Sequence, residues 1–285
     1  MSIALMPAAF IGHGSPMNAL ESNRYTDAWR QFGAAVPRPR AILAISAHWF
    51  INATAVTAMA SPRTIHDFFG FPPELFALQY AAPGSPELAQ EVVDVAEPTW
   101  VGLDADSWGI DHGTWSVLVH MFPTADVPVV QLAVNAMQPL RYHFELGARL
   151  APLRERRVLI VGSGNVVHNL AGIDPTVGER GFDWARRFDE AALQAMTTSP
   201  AAVADLDRHV DYDAAAPTPD HFLPLAYVAG LASASSEVAH VFNQGYTFGS
   251  LSMTSYVLGL ETITNGKGSS AQELPRHVPP TDTNL

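Results

Sequence analysis

Short apolar runs that end beside a histidine most constrain how this chain folds. Residues 8–11 lead through a glycine into His13, and residues 41–47 lead directly into His48. An almost continuous apolar run of this length is typical of a strand that is buried on both faces of a sheet. The chain therefore predicts buried strands that carry histidines out to the rim of a sheet.

Helical patterns alternate with these strand patterns along the chain. A third apolar run, residues 158–161, continues into a Gly-Ser-Gly turn, and a helix is predicted at 115–122. This alternation predicts an α/β fold, in which a central mainly parallel or mixed β-sheet is flanked by helices in a single domain. We find no repeat and no linker that divides the chain. We therefore expect one domain over residues 1–264 and a polar, mobile tail over residues 265–285.

The composition excludes several classes of partner and site. Apolar residues make up 48% of the 285 residues and charged residues 15%, which predicts a well-buried core. The formal net charge of −12 argues against a nucleic acid or an anionic membrane surface as a partner. Because the chain has no cysteine, any metal must be held by imidazole or carboxylate groups. No basic leader and no apolar segment near the roughly 20 residues that span a bilayer is found, so we expect a cytoplasmic protein.

Five histidines share a position at the boundary of a predicted element: His13, His48, His112, His168 and His221. In open α/β sheets ligands bind beyond the carboxyl ends of the strands, so these five imidazoles are expected to converge on one rim. A neutral imidazole binds a metal best when an acceptor holds its other ring nitrogen. Asp111 and Asp220, which precede two of these histidines, are candidates for that acceptor.

The segment 64–84 is rich in aromatic residues and prolines and has no clear period. A loop of this length is typical of a lid or a pocket wall, although ordinary packing is an equally good interpretation of its aromatic residues. His66 within it and Trp49 nearby in sequence are candidates for contact with a substrate. We expect ordinary structural roles for the remaining histidines: His120, His143, His209, His240 and His277.

Five motifs follow one another in a recognisable order. They are Gly-His-Gly-Ser-Pro-Met at 12–17, Ser-Ala-His-Trp at 46–49, Gly-Ile-Asp-His-Gly-Thr-Trp at 109–115, Gly-Ser-Gly-Asn at 162–165 with His-Asn-Leu at 168–170, and Pro-Thr-Pro-Asp-His-Phe-Leu-Pro-Leu at 217–225. Together they resemble the class III extradiol ring-cleavage dioxygenase family, in its DOPA 4,5-dioxygenase-like branch. The resemblance extends from about residue 10 to residue 258. It implies a single-domain α/β fold and a non-haem metal site that binds a catechol and O₂.

The resemblance also implies roles for individual histidines. His13 and His48 match metal ligands, and His221 stands where the protocatechuate-type members carry a glutamate as third ligand. Three imidazoles suit Zn(II) as well as Fe(II), so we expect one divalent metal per chain, either iron or zinc. His168 matches the acid–base histidine of the family and is also a candidate fourth ligand. His112 is expected to handle a proton or a hydrogen bond on the O₂ side.

The sequence therefore predicts an oxidoreductase that opens the ring of a catechol, DOPA-like or a related aromatic diol. Its partners would be the small-molecule catechol and O₂, and the protein would be a monomer or a small homo-oligomer. Two alternatives stay open. The same histidines could activate water in a zinc-dependent hydrolase or amidase, or the fold could serve a non-catalytic binding protein.

Overall fold

A computed structural model describes residues 5–260, 266, 274–275 and 277–285 of the chain. Within them the strands are β1 (Ala8–Gly12), β2 (Ala41–Ile51), β3 (Ala55–Thr57), β4 (Arg63–Thr64), β5 (Gly102–Asp104), β6 (Gly109–Ile110), β7 (Val129–Asn135), β8 (Val158–Gly164), β9 (His240–Asn243), β10 (Tyr246–Thr247), β11 (Leu251–Ser252) and β12 (Ser255–Leu258). The helices are α1 (Arg24–Ala35), α2 (Pro73–Ala77), α3 (Pro86–Ala96), α4 (His112–Met121), α5 (Leu140–Leu150), α6 (Pro152–Glu155), α7 (Asp183–Thr198), α8 (Tyr212–Ala215) and α9 (Leu223–Ala234). Short 3-10 helices lie at Pro16–Ala19, Leu170–Gly172, Pro175–Val177, Pro200–Arg208 and Pro280–Asp282.

The central sheet has eight strands in the order β5-β3-β7-β2-β8-β1-β12-β9. Its middle strands β7, β2, β8 and β1 are parallel to one another. At one side β12 pairs antiparallel with β1 and β9 pairs antiparallel with β12, and at the other side β3 pairs antiparallel with β7. The predicted single-domain α/β fold with a mixed sheet is confirmed. Among the described residues no helix combines the length and the apolar composition that crossing a membrane requires.

The parallel strands are buried on both faces, as their apolar sequences predict. Leu43 and Ile160 point into the core that α3, α5, α7 and α9 cover. Ile42 and Leu159, their neighbours in sequence, point into the opposite core under α1 and α4. Because successive side chains of a strand face opposite sides, only a run without alternation can fill two cores at once. This burial fixes the register of the strands and therefore the position of whatever follows them.

The carboxyl ends of β1, β2 and β8 meet at one rim of the sheet. β1 ends at Gly12, one residue before His13, and β8 ends at Gly164, four residues before His168. β2 does not end at His48, as the sequence predicts, but continues to Ile51. Its pairing with β8 stops at residue 46, and its register with β7 shifts between residues 45 and 50. His48 therefore lies just beyond the last residue of β2 that pairs with β8, at an irregularity within the strand and not at its end.

One other boundary, the start of α4, differs from the sequence prediction. The helix predicted at 115–122 begins three residues earlier, because the side chain of Asp111 accepts a hydrogen bond from the backbone N–H of Thr114 and caps α4.

The tail predicted at 265–285 lies partly outside the described residues. Its described end, 277–285, packs against the body of the protein, with Thr283 and Leu285 buried and the backbone N–H of Phe69 donating to the Thr283 carbonyl at 3.0 Å. The domain boundary at residue 264 stays a prediction.

A buried histidine outside the rim predicts how stability depends on pH. His143 of α5 is fully buried, and its Nδ1 lies 3.1 Å from the Tyr227 hydroxyl. Burial lowers the pKa of His143 to about 4. The unfolded chain, with a histidine pKa of about 6.5, therefore binds more protons between these values, and stability falls as pH drops through 6.5. At pH 5 the loss from this group is about 2 kcal/mol.

Urea unfolding at pH 7.5 and pH 5 measures this contribution. The difference in unfolding free energy between the two pH values is expected to be smaller by about that amount in His143→Gln than in wild type. His240→Gln, at an exposed position of β9, is the matched control and should keep the wild-type pH dependence. Equal pH dependence in wild type and His143→Gln contradicts the prediction.

Candidate metal centre

His13 is fully buried and held from strand β8. Its Nδ1 lies 2.9 Å from the Ser163 hydroxyl, and that hydroxyl donates to the backbone carbonyl of Gly113 at 2.5 Å. Since the hydroxyl proton is used on Gly113, the oxygen accepts from His13 Nδ1–H. The lone pair of the His13 imidazole is therefore on Nε2.

His48 meets His13 at the centre of the rim. Their Nε2 atoms are 3.2 Å apart, and their ring centroids are 5.1 Å apart. Gly113, at the start of α4, permits this approach. A Cβ atom on Gly113 would lie 2.6 Å from the Ser46 hydroxyl and 2.7 Å from His48 Cδ2. The glycine after the Asp-His pair of this motif is therefore a packing requirement of the cluster.

His112 and His48 share one carboxylate. His112 Nδ1 is 2.9 Å from Asp67 Oδ1, and His48 Nδ1 is 3.2 Å from Asp67 Oδ2. The ring centroids of the two histidines are 3.8 Å apart. Sequence reasoning missed Asp67, because no spacing rule links it to either partner and the segment 64–84 holds a second acidic residue, Glu74.

His221 approaches the cluster from the opposite side. Its Nδ1 lies 2.5 Å from Asp220 Oδ2, and its ring centroid lies 5.3 Å from that of His13 and 4.9 Å from that of His48. Its backbone carbonyl is close to β8, since a Cβ on Gly164 would collide with that oxygen. The Nε2 of His221 is buried and has no hydrogen-bond partner.

The two acidic residues singled out from the sequence have different roles. Asp220 holds an imidazole, as predicted. Asp111 instead accepts from the Ser46 hydroxyl at 2.7 Å and caps α4, while Gln131 donates its side-chain amide to the other carboxylate oxygen. The acceptor for His112 is therefore Asp67 and not the adjacent Asp111.

His168 lies at the edge of this group. Its ring stacks on His221 with a centroid distance of 3.5 Å and an interplanar angle of 3°. Its Nε2 is 2.7 Å from the backbone carbonyl oxygen of Leu285. A carbonyl only accepts, so Nε2 carries the proton and the lone pair of His168 is on Nδ1.

Burial keeps most of these imidazoles neutral. Burial and the neighbouring imidazoles hold the pKa of His13 and of His168 well below the ordinary value. Burial also lowers the pKa of His112 and of His221, in each case against the opposing effect of a carboxylate. Neutral imidazoles carry the lone pairs that a metal ion requires.

Contacts between imidazoles and carboxylates shift the pKa values of both partners. Burial disfavours a charged His48, but the Asp67 carboxylate outweighs burial and raises the pKa of that imidazole. Burial would raise the pKa of Asp67 and of Asp220, but the adjacent imidazoles outweigh it and lower both. Both carboxylates therefore stay ionised at neutral pH and act as acceptors only.

The donor set fits one divalent metal ion. One ring nitrogen from each of His13, His48 and His112 lies within 4.8 Å of the others. Two imidazole nitrogens bound tetrahedrally at about 2.0–2.1 Å to one ion lie about 3.3 Å apart, close to the 3.2 Å between His13 Nε2 and His48 Nε2. The unpartnered Nε2 atoms of His112 and His221 provide two further buried donors. A cation would satisfy these buried nitrogens, which otherwise carry a desolvation cost.

A cavity of about 610 Å³ opens beside the cluster, which is a size typical of small-molecule sites. It is lined by Phe69, His168, Asn169, Leu170, Ala171, Pro217, Thr218, Asp220, His221, Thr281, Asp282, Asn284 and Leu285. The described end of the chain, 277–285, therefore supplies one wall of the cavity. The segment 64–84 contributes Phe69.

The two residues predicted to contact a substrate lie outside this lining. His66 Nε2 is 2.8 Å from the Leu78 carbonyl, and its ring packs against Phe68 and Trp115. Trp49 is buried and stacks on Trp108 with a centroid distance of 6.0 Å. Their assignment to substrate binding stays a prediction.

Comparison with known proteins agrees with this geometry. A family model described as the catalytic LigB subunit of aromatic ring-opening dioxygenase matches residues 7–259. A protein of Escherichia coli K12 named 4,5-DOPA dioxygenase extradiol is 46% identical over 263 residues, which cover 91% of this chain and 97% of that protein. A protein of Beta vulgaris with the same name is 36% identical, covering 87% of this chain and 94% of that protein.

A solved structure has the same fold. The crystal structure of an uncharacterized protein from Escherichia coli K12 superposes with a TM-score of 0.78 at 41% identity, covering 89% of this chain and 99% of that one. The resemblance found in the sequence motifs is confirmed. The chain belongs to the family of the catalytic LigB subunit of aromatic ring-opening dioxygenase, and it is an extradiol ring-cleaving oxidoreductase.

Proposed function

We propose that this protein opens the ring of a catechol, DOPA or a related aromatic diol, with O₂ at one divalent metal ion, Fe(II) or Zn(II). The observation that carries the proposal is the group of buried imidazoles whose free nitrogens face a common point beside a small-molecule cavity. The names of the Escherichia coli and Beta vulgaris relatives support DOPA as the type of substrate.

His13, His48 and His221 are the proposed metal ligands. The outer nitrogen of each is held by an acceptor, which leaves Nε2 for the metal. His112 has the same arrangement and is either a further ligand or a hydrogen-bond acceptor at the O₂ side. When bound, a metal of this kind polarises the diol oxygens and holds diol and O₂ together.

His168 is the proposed acid–base residue. It lines the cavity, it is buried and neutral, and the Leu285 carbonyl fixes its proton on Nε2. Its Nδ1 is therefore able to take a proton from a diol hydroxyl and to return it later in the reaction. The same free Nδ1 would also allow His168 to act as a fourth ligand, so we propose both roles for it.

Alanine variants separate the ligand role from the acid–base role. His13→Ala is expected to lose metal retention and turnover together, because the cluster loses a nitrogen at its centre. His168→Ala is expected to keep most of the metal and to lose turnover by about 10²- to 10⁴-fold. Metal content after gel filtration and oxygen uptake measure the two effects. His240→Ala is the matched control, and full metal occupancy in His13→Ala would refute the ligand assignment.

The reaction itself is tested by anaerobic loading. Protein loaded with Fe(II), and in parallel with Zn(II), is mixed with a panel of catechols before O₂ is admitted. We expect oxygen uptake and a yellow ring-opened product, with DOPA-like catechols among the substrates. A panel without oxygen uptake, together with amide or ester turnover by the zinc form, would support the hydrolase alternative and overturn the proposal.

The wall formed by residues 279–285 predicts a change in substrate range. Shortening the chain to residue 278 removes four cavity-lining residues and is expected to lower the KM of a bulky catechol relative to that of unsubstituted catechol. Steady-state oxygen uptake gives both KM values, and His240→Ala, at an exposed position outside the cavity lining, is the control. An unchanged KM ratio would show that this segment does not limit the substrate site.

A further inference from the structure

We propose that Asp67 is a positioning residue, which fixes the imidazoles of His48 and His112 in the Nδ1–H form and turns both Nε2 lone pairs into the cluster. The inference rests on the proposed metal centre and adds a residue to it. Asp67 belongs to none of the motifs by which the sequence resembles its family.

The contacts of the Asp67 carboxylate come from groups that can donate. Oδ1 lies 3.1 Å from the backbone N of His112 and 2.9 Å from its Nδ1. Oδ2 lies 3.2 Å from His48 Nδ1 and 3.4 Å from the side-chain amide of Asn284. A carboxylate accepts at both oxygens, so it satisfies donors on both sides at once.

The position of Asp67 makes this requirement strict. Its side chain is 12% exposed, and the side chains of His48 and His112 are 1% and 0% exposed. Water therefore has little access with which to replace a lost contact, and a mismatched pair would leave a buried polar group unsatisfied. Each imidazole must therefore carry its proton on the nitrogen that faces the carboxylate.

Substitution of Asp67 by asparagine is expected to affect His48 and His112 differently. The backbone N–H of His112 can only donate, so in Asp67→Asn the amide oxygen of the new side chain must take the Oδ1 side. The amide NH₂ would then face His48, whose Nδ1 would have to accept. The His48 proton would move to Nε2, the nitrogen that faces His13 Nε2 at 3.2 Å. Asp67→Asn should therefore remove His48 from the ligand set with almost no change in shape.

Asp220 offers a matched comparison. Its carboxylate contacts one imidazole, that of His221, and also the side-chain hydroxyl of Thr218. A hydroxyl can accept as well as donate, so an amide at this position can accept from His221 and donate to Thr218. Asp220→Asn removes the same charge beside the same cluster and keeps both of these hydrogen bonds. The difference between the variants isolates the need for two acceptors.

The experiment is a titration of metal-free protein with Zn²⁺ against a competing chelator. Asp67→Asn is expected to bind Zn²⁺ about 10- to 100-fold more weakly than wild type, as is usual when the partner of a ligand is lost. Asp220→Asn is expected to stay closer to wild type than to Asp67→Asn. Equal losses in the two variants would assign the effect to charge alone and overturn the proposal, as would wild-type affinity in Asp67→Asn.

Nitrogen NMR of the imidazoles gives a second readout, one that a purely structural role of Asp67 would not move. In metal-free wild type at alkaline pH, His48 and His112 are expected in the Nδ1–H form, and in Asp67→Asn His48 is expected to change to Nε2–H. An Nε2–H form of either residue in wild type would overturn the proposal, even where Asp67→Asn fails to fold. Neither readout requires turnover, so a failure to oxidise catechols would bear on the proposed function alone.

Discussion

The site depends on how several buried imidazoles are held with their free nitrogens toward one another. Uncharged histidines packed this closely have lone pairs that repel, and buried polar atoms without partners carry a desolvation cost. The protein fixes the outer nitrogens with a hydroxyl and two carboxylates, from Ser163, Asp67 and Asp220. The inner nitrogens are then oriented without rotational freedom. A cation would satisfy the lone pairs of these inner nitrogens, and the rim is therefore suited to bind a metal ion.

The fold supplies the rigid support that this arrangement needs. β1, β2 and β8 lie side by side and their carboxyl ends meet at one rim, so residues far apart in sequence arrive at one point. Cores on both faces prevent these strands from slipping. Gly113 then lets the side chains of Ser46 and His48 approach, and Gly164 lets the backbone of His221 approach, more closely than a Cβ atom would allow. The glycines beside the histidines therefore serve packing as much as chain flexibility.

The surroundings of the metal centre divide into two parts. On one side Asp67 connects His48 and His112 to the segment 64–84, which contributes orientation more than it contributes pocket surface. On the other side His168, His221 and residues 281–285 border the cavity. His168 connects the metal centre to the cavity wall, since it stacks on the proposed ligand His221 and its Nε2 contacts the backbone carbonyl of Leu285. The proposed proton handling and the shape of the proposed substrate site are thus coupled through one imidazole.

The sequence by itself determined the class of fold, the family and the histidines at the rim, because buried strands and glycine-flanked histidines leave local patterns that can be read without coordinates. It also identified Asp220, which is adjacent to its partner. Only the tertiary structure decided that Asp67 rather than Asp111 holds His112, and that Leu285 contacts His168. These pairs are separated by 45 and 117 residues and depend on how loops fold back over the rim. Local sequence carries the chemistry of a side chain, whereas its partner is set by long-range packing that no local pattern records.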